Sequence, residues 1–173
     1  MIRLPRTAWT LVAAVMVAAA GPGPGLPHDS RAVEDLTGRS RPLLASIEPG
    51  ELQLVSFVMW PIRPGERADP NRSQAVVTRS VGTQLERFGL RTLLVGIRPA
   101  EATRDELRNA AQAWHSDSVE FVFDPQGEVA RSFNVSAYPA TLLLDARGRV
   151  VGRWDGFVPA QALAPAIDRV LGR

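Results

Sequence analysis

Few side chains in this sequence could carry out covalent or acid–base chemistry. The chain has no cysteine and only 2 histidines, His28 and His115. Two histidines so far apart along a chain are more often solvated surface residues than ligands. No serine has a histidine partner in its sequence context, and no Gly-Lys-Ser/Thr phosphate loop is present. The residues therefore indicate neither thiol nor phosphate-loop chemistry, and we expect no metal and no cofactor.

Three aspartates are the remaining candidates for chemistry. Asp124, Asp145 and Asp155 each stand where a predicted strand ends or a turn begins. Aspartate is favoured at such positions because its carboxylate accepts hydrogen bonds from nearby backbone N–H groups. We interpret them as turn and strand-end residues rather than as a catalytic set.

The N-terminal segment 1–20 has the features of a secretory signal peptide. Arg3 and Arg6 form its positive start, residues 8–20 are apolar apart from Thr10, and three alanines precede Gly21. The alternative is an uncleaved membrane anchor, but the apolar run is short for a span, which needs roughly 20 residues. The sequence therefore predicts export to the periplasm or the extracellular space.

Charge argues against some classes of partner. Cleavage of the segment would remove Arg3 and Arg6, leaving as many basic residues as the 18 acidic ones. The mature formal charge is then zero, so the sequence predicts neither nucleic-acid binding nor membrane binding after cleavage.

The rest of the chain divides into a tether and one domain. Residues 21–27 alternate glycine and proline with a single leucine, and residues 28–40 are polar with little periodicity. We predict a tether over 21–40 and a domain over 41–173. The hydrophobic content of 45% is sufficient for one core of ordinary size.

Hydrophobic periodicity predicts alternating strands and helices in this domain. The predicted strands are 52–59, 91–97, 120–123, 138–145 and 149–155, and the predicted helices are 73–88, 103–114, 127–133 and 159–171. Alternation followed by an antiparallel hairpin predicts an α/β fold with a mixed sheet and helices on both faces. Thr103 and Glu106 have the spacing of a helix capping box.

The stretch 122–157 carries a family resemblance. It contains an apolar strand, Asp124-Pro125-Gln126-Gly127, a short helix, Tyr138-Pro139, a strand and Asp145-Ala146-Arg147-Gly148. In this order and spacing, the chain resembles the thioredoxin-like superfamily, of the redoxin and cytochrome-maturation thiol-disulfide oxidoreductase type, over 43–173. The resemblance implies a three-layer α/β/α sandwich with a C-terminal hairpin and helix, and a cis Tyr138–Pro139 bond.

The resemblance also shows what is missing. In the family, the first central strand leads into Trp-Cys-x-x-Cys, whereas here Trp60 is followed by Pro61-Ile62-Arg63-Pro64. Both cysteine positions then hold proline. Disulfide exchange begins with a thiolate that attacks a sulfur, and proline cannot replace it. Redox activity is therefore not expected from this chain.

A groove beside the proline can persist without thiols. The resemblance implies binding of an extended peptide or an exported protein partner by strand addition. The candidate groove residues are Trp60, Pro61, Ile62, Pro64, Tyr138 and Pro139. The leading hypothesis is a non-catalytic binding or accessory module. The alternatives are an enzyme with non-thiol chemistry in the same groove and a domain that acts with a cysteine-bearing partner chain. Trp60 and Tyr138 are either binding anchors or core residues.

Overall fold

The protein forms one mixed sheet with helices on both of its faces. The structure, a computed structural model, describes residues 31–44, 47–60, 69–97, 103–112, 114 and 116–172. Its elements are β1 Ala32–Glu34, β2 Ser40–Pro42, β3 Leu52–Met59, α1 Pro70–Leu85, a 3-10 turn Glu86–Phe88, β4 Leu90–Ile97, α2 Arg104–Gln112, β5 Glu120–Asp124, α3 Glu128–Ser132, β6 Ala140–Asp145, β7 Val150–Asp155 and α4 Ala160–Val170.

Strand β3 is the centre of the sheet. The 7 strands follow the order β2-β1-β5-β4-β3-β6-β7. Strand β3 pairs in parallel with β4 and antiparallel with β6, while β4 and β5 are parallel and β6 and β7 antiparallel. All residues of β3 except Met59 are buried, as its almost continuous apolar sequence predicts for a strand covered on both faces.

Two apolar layers cover the two faces of this sheet. On one face, α1 and α4 pack over β3, β4 and β6 around Leu54, Val81 and Leu163. On the other face, α3 contributes Val129 and Ala130 to a cluster with Phe57 and other inward residues of the sheet. The expected three-layer α/β/α arrangement with a mixed sheet, a C-terminal hairpin and a final helix is confirmed.

The N-terminal part of the described chain differs from the sequence-based expectation. Residues 31–40 were predicted to belong to a tether, but β1 and β2 form a hairpin that extends the sheet beside β5. Val33 and Leu43 are each 1% exposed and anchor the hairpin in the core. The Asp35 carboxylate closes the turn by accepting the N–H groups of Thr37 and Arg39. Each strand has only 3 residues, too few to show a periodicity. The predicted signal peptide 1–20 and the first part of the tether lie outside the described residues.

Helix ends agree with the sequence to within a few residues. Helix α1 begins at Pro70 instead of residue 73, because the Asp69 carboxylate caps it by accepting the Asn71 N–H. The capping box of α2 is confirmed, since Glu106 accepts the Thr103 N–H and donates its own N–H to the Thr103 hydroxyl. Pro159 precedes α4 as its cap rather than occupying the first helical position.

Candidate functional site

The candidate site lies at one end of the central strands, where β3 ends and β6 begins. Phe57 pairs with Ala140, and Ala140 in turn pairs with Asp155 at the end of β7. The carboxyl ends of β3 and β7 and the loop before β6 therefore meet at the same end of the sheet. The peptide bond between Tyr138 and Pro139, in that loop, is cis.

Only part of the predicted groove falls within the described chain. Pro61, Ile62 and Pro64 lie outside the described residues, so their predicted contribution to the groove stays a prediction. The residues on either side of segment 61–68 are held in place. The Met59 N–H donates to Asn71 Oδ1 of α1 at 3.0 Å, and the Trp60 N–H donates to the Ile97 carbonyl at 2.8 Å.

Trp60 lies in the core rather than on the groove surface. Its side chain is 1% exposed and stands edge-on to Phe121, with ring centroids 4.7 Å apart, and to Phe123 at 6.4 Å. Such edge-to-face packing is a favourable arrangement of buried aromatic rings. Of the two interpretations that the sequence left open for this ring, core packing describes its position.

Tyr138 is half-buried and packs against the core cluster below the loop. Burial raises the pKa of its hydroxyl, the negative charge of Asp124 raises it further, and Arg131 acts in the opposite direction. Tyr138 is therefore a partly exposed aromatic side chain whose phenol is uncharged at neutral pH. These are the properties of an aromatic side chain that can contact a ligand without leaving the core.

Asp124 is buried at the end of β5 and serves the fold. Its carboxylate accepts the Glu128 N–H at 3.0 Å and the Ala130 N–H at 2.9 Å, at the start of α3. Burial raises the pKa of this carboxyl, and the hydrogen bonds from α3 oppose that effect. With both oxygens engaged by backbone donors, Asp124 is a structural residue, as its position in a turn indicated.

The loop beside Pro139 offers backbone groups without partners in the described chain. Gly156 donates its N–H to the Pro139 carbonyl at 2.9 Å, which joins the loop to the end of β7. By contrast, no hydrogen bond among the described residues uses the backbone N–H or carbonyl groups of Ala137 and Tyr138. Ala137 is exposed. These two residues lie in the bend that precedes β6 and leave backbone groups without a partner among the described residues.

Two exposed apolar side chains near this loop were not identified from the sequence. Met59 is 39% exposed at the end of β3, and Phe157 is 48% exposed just after β7. Met59 belongs to an apolar run in which every other strand residue is buried, so no local pattern distinguishes it. Phe157 follows Gly156, and the presence of an aromatic residue in a turn was the only sequence feature that could have indicated its exposure.

A buried polar cluster lies beneath the site. The Ser56 hydroxyl is 2.7 Å from the Thr78 hydroxyl and 3.0 Å from the Thr141 hydroxyl. Gln74 donates from Nε2 to the Thr78 hydroxyl at 3.3 Å and accepts the Val158 N–H at 2.9 Å. The four side chains are 0% exposed and all are hydrogen-bonded, so the cluster connects β3, α1, β6 and the turn before α4.

No group of three or more histidine, cysteine, aspartate or glutamate side chains within the described residues could hold a metal ion. In the same part of the chain, no helix has the length and apolar character required to cross a membrane. At the ends of β3 and β7, exposed apolar side chains lie near backbone groups that have no partner among the described residues.

Comparisons with known proteins agree on the architecture. The sequence matches no protein-family model and no curated protein. Among solved structures it is similar to a putative thiol:disulfide interchange protein DsbE from Chlorobium tepidum, with 21% identity and a TM-score of 0.63 over 86% of this chain and 97% of that one. A pneumococcal exposed lipoprotein thioredoxin from Streptococcus pneumoniae is 16% identical, with a TM-score of 0.60 over 82% of this chain and 96% of that one.

A secreted disulfide oxidoreductase from Mycobacterium tuberculosis is also similar, with 16% identity and a TM-score of 0.60 over 82% of this chain and 98% of that one. The TM-scores of 0.60 to 0.63 show that these proteins share a fold with this chain. The chain has no cysteine at any position. This protein is therefore a cysteine-less chain with the thioredoxin-like fold of the thiol:disulfide interchange proteins.

Proposed function

We propose that this chain is a non-catalytic binding module that captures an extended peptide segment at the loop beside Pro139. One observation carries the proposal: the backbone groups of Ala137 and Tyr138 are unpaired within the described chain, while Pro139 is fixed by its bond to Gly156. A peptide strand pairing with these groups gains main-chain hydrogen bonds without any thiol. The partner is an extended segment of a peptide or of an exported protein.

We also propose that the chain is exported. The support is the sequence of residues 1–20, with its basic start, apolar run and alanines. Two of the similar proteins are an exposed lipoprotein and a secreted oxidoreductase, which is consistent with the same destination. N-terminal sequencing of the chain recovered from a culture's exported fraction tests this: a new N-terminus near residue 21 is expected. Retention of Met1 in that fraction would contradict cleavage.

The binding proposal is tested with short synthetic peptides of high β-propensity and the isotope-labelled chain in solution. Peptide addition is expected to shift the backbone amide resonances of Ala137, Tyr138 and Ala140. The amides of β2, the outermost strand on the side of the sheet away from β6 and β7, serve as the internal control and should stay unchanged. A peptide N-methylated at alternate residues keeps its side chains but loses the donors that strand pairing requires, and it should not bind.

The same preparation tests for catalysis. In an insulin-reduction assay with dithiothreitol, the purified chain should not exceed the buffer blank, because it holds no thiol to begin exchange. Reproducible acceleration by the chain alone would refute a non-catalytic role. Acceleration only in a mixture with a cysteine-bearing protein would favour the partner-chain alternative.

In the binding test, equal binding of the methylated and unmethylated peptides would refute strand pairing.

A further inference from the structure

Phe157 is an exposed aromatic residue on a short turn that is fixed on both sides. Its side chain is 48% exposed. The preceding residue, Gly156, donates its N–H to the Pro139 carbonyl at 2.9 Å, and the following residue, Val158, donates to Gln74 Oε1 at 2.9 Å. Gly156 has a φ of +82°, a conformation that residues with a side chain rarely adopt. The backbone that carries the ring is therefore held in one conformation.

Gln74 can hold this turn because it is itself held from below. It is 0% exposed, and its Nε2 donates to Thr78, whose hydroxyl is 2.7 Å from that of Ser56. An amide buried without partners would cost free energy, so the hydroxyl cluster is what permits a glutamine at this position. Through that cluster, the position of the Phe157 backbone is coupled to α1 and to the central strand β3.

The turn also adjoins the proposed binding loop. Pro139 bonds to the residue immediately before Phe157 and directly follows Tyr138, whose backbone groups are unpaired within the described chain. A strand that pairs with Ala137 and Tyr138 therefore passes next to the turn that carries Phe157. Because the turn is already ordered, contact with the aromatic ring costs little additional conformational entropy.

We propose that Phe157 is the specificity-determining residue of this loop, selecting a peptide with an apolar side chain beside it, and that Gln74 is the residue that positions Phe157. This inference rests on the proposed peptide-binding function. An aliphatic or aromatic peptide side chain would bury the exposed ring on binding, whereas a serine in the same place would leave most of the ring in water. Backbone pairing supplies sequence-independent binding, and Phe157 adds the preference.

The test uses the full chain and two synthetic peptides that differ only at one central residue, leucine in one and serine in the other. Fluorescence anisotropy measures both dissociation constants. For the unmodified chain, we expect the leucine peptide to bind about tenfold more tightly, the order of magnitude for partial burial of one leucine. Phe157→Ser should reduce that ratio to about one by weakening only the leucine peptide. Val170→Ser is the matched control, since Val170 is 45% exposed at the far end of α4, and it should leave the ratio unchanged.

The positioning role of Gln74 has its own variants. Gln74→Leu removes the acceptor for the Val158 N–H and should lower the leucine-to-serine ratio while leaving the serine peptide's affinity unchanged. Gln74→Glu keeps an oxygen acceptor for the Val158 N–H and should retain most of the leucine-to-serine ratio of the unmodified chain. A general loss of folding would weaken both peptides equally, so the ratio separates positioning from stability. Because Phe157→Ser changes an exposed side chain, it tests selection by Phe157 even where a Gln74 variant does not fold.

The outcomes distinguish this inference from the function on which it rests. If both peptides bind and Phe157→Ser leaves the ratio unchanged, selection by Phe157 is refuted and peptide binding stands. If Gln74→Leu and Gln74→Glu both keep the full ratio, the positioning role of Gln74 is refuted. If neither peptide binds the unmodified chain, the proposed function itself fails, and this inference fails with it.

Discussion

Replacement of Trp60 by alanine should lower the free energy of unfolding, because the indole belongs to the core and not to the protein surface. The indole is 1% exposed and contacts Phe121 and Phe123 of β5 edge-on. Truncation of a buried tryptophan costs about 3–5 kcal/mol. Loss of the edge-to-face pair with Phe121, at 4.7 Å, accounts for roughly 0.5–1.5 kcal/mol of the aromatic contribution. We therefore expect a loss of about 4 kcal/mol in the free energy of unfolding.

The indole nitrogen allows a finer comparison. Trp60 Nε1 is buried and has no hydrogen-bond partner in the described chain. Trp60→Phe therefore breaks no hydrogen bond there and should cost only about 1–2 kcal/mol, for the missing ring volume. Trp114→Ala is the matched control. That indole is half-buried, and its clearest polar contact is the Arg79 guanidinium, 5.5 Å from the ring centroid, so the loss should be smaller.

Urea unfolding followed by far-ultraviolet circular dichroism measures these differences without relying on tryptophan emission. In thermal unfolding of a chain of this size, the expected loss for Trp60→Ala corresponds to a fall in Tm of about 10 °C. Equal slopes of the unfolding free energy against urea would show that the comparison is valid. A loss below about 1 kcal/mol for Trp60→Ala would refute the core assignment. If peptide capture then fell at unchanged stability, Trp60 would instead be a binding anchor.

Three further substitutions test other parts of the fold by the same unfolding measurement. Asp145→Ala should cost about 1–3 kcal/mol at neutral pH, because the carboxylate accepts two backbone N–H groups of its hairpin turn and the Arg149 Nε at 2.6 Å. Burial alone would raise the pKa of Asp145, but the bonds from Arg149 hold it below its usual value; this stabilisation should thus be complete above about pH 4 and lost as the pH falls further. Asp124 has the opposite sign: since burial raises its pKa, the stability of the unmodified protein relative to Asp124→Asn should decrease as the pH rises from about 4, and a constant difference would refute the assignment. Gly96→Ala should destabilise by about 1–3 kcal/mol, because its Cβ would lie 3.1 Å from ring atoms of both phenylalanines of β5; an unchanged midpoint would show that those rings can move.

Local patterns in the sequence were sufficient for most helices and strands. Strand β3 has the predicted bounds, since a run of apolar residues between a Pro-Gly pair and a proline-rich segment leaves few other conformations. The capping box at Thr103 was also recognisable, because its two residues are only three positions apart. The hairpin at residues 32–42 was not, because its strands depend on β5, which lies far along the chain. A short segment of that kind gains its stability from the sheet edge to which it pairs.

The absence of cysteine required no structure, since it is read from the composition alone. The burial of Trp60 did require one: an aromatic residue at the end of a strand has the same local sequence whether β5 covers it or solvent does. The contacts of the polar cluster are equally invisible in the sequence, because Ser56 and Thr141 are 85 residues apart and Gln74 and Val158 are 84 apart. Local patterns report the conformation of neighbouring residues. Burial and long-range hydrogen bonds depend on which elements pack together, and the exposure of Phe157 on its fixed turn was decided at that level.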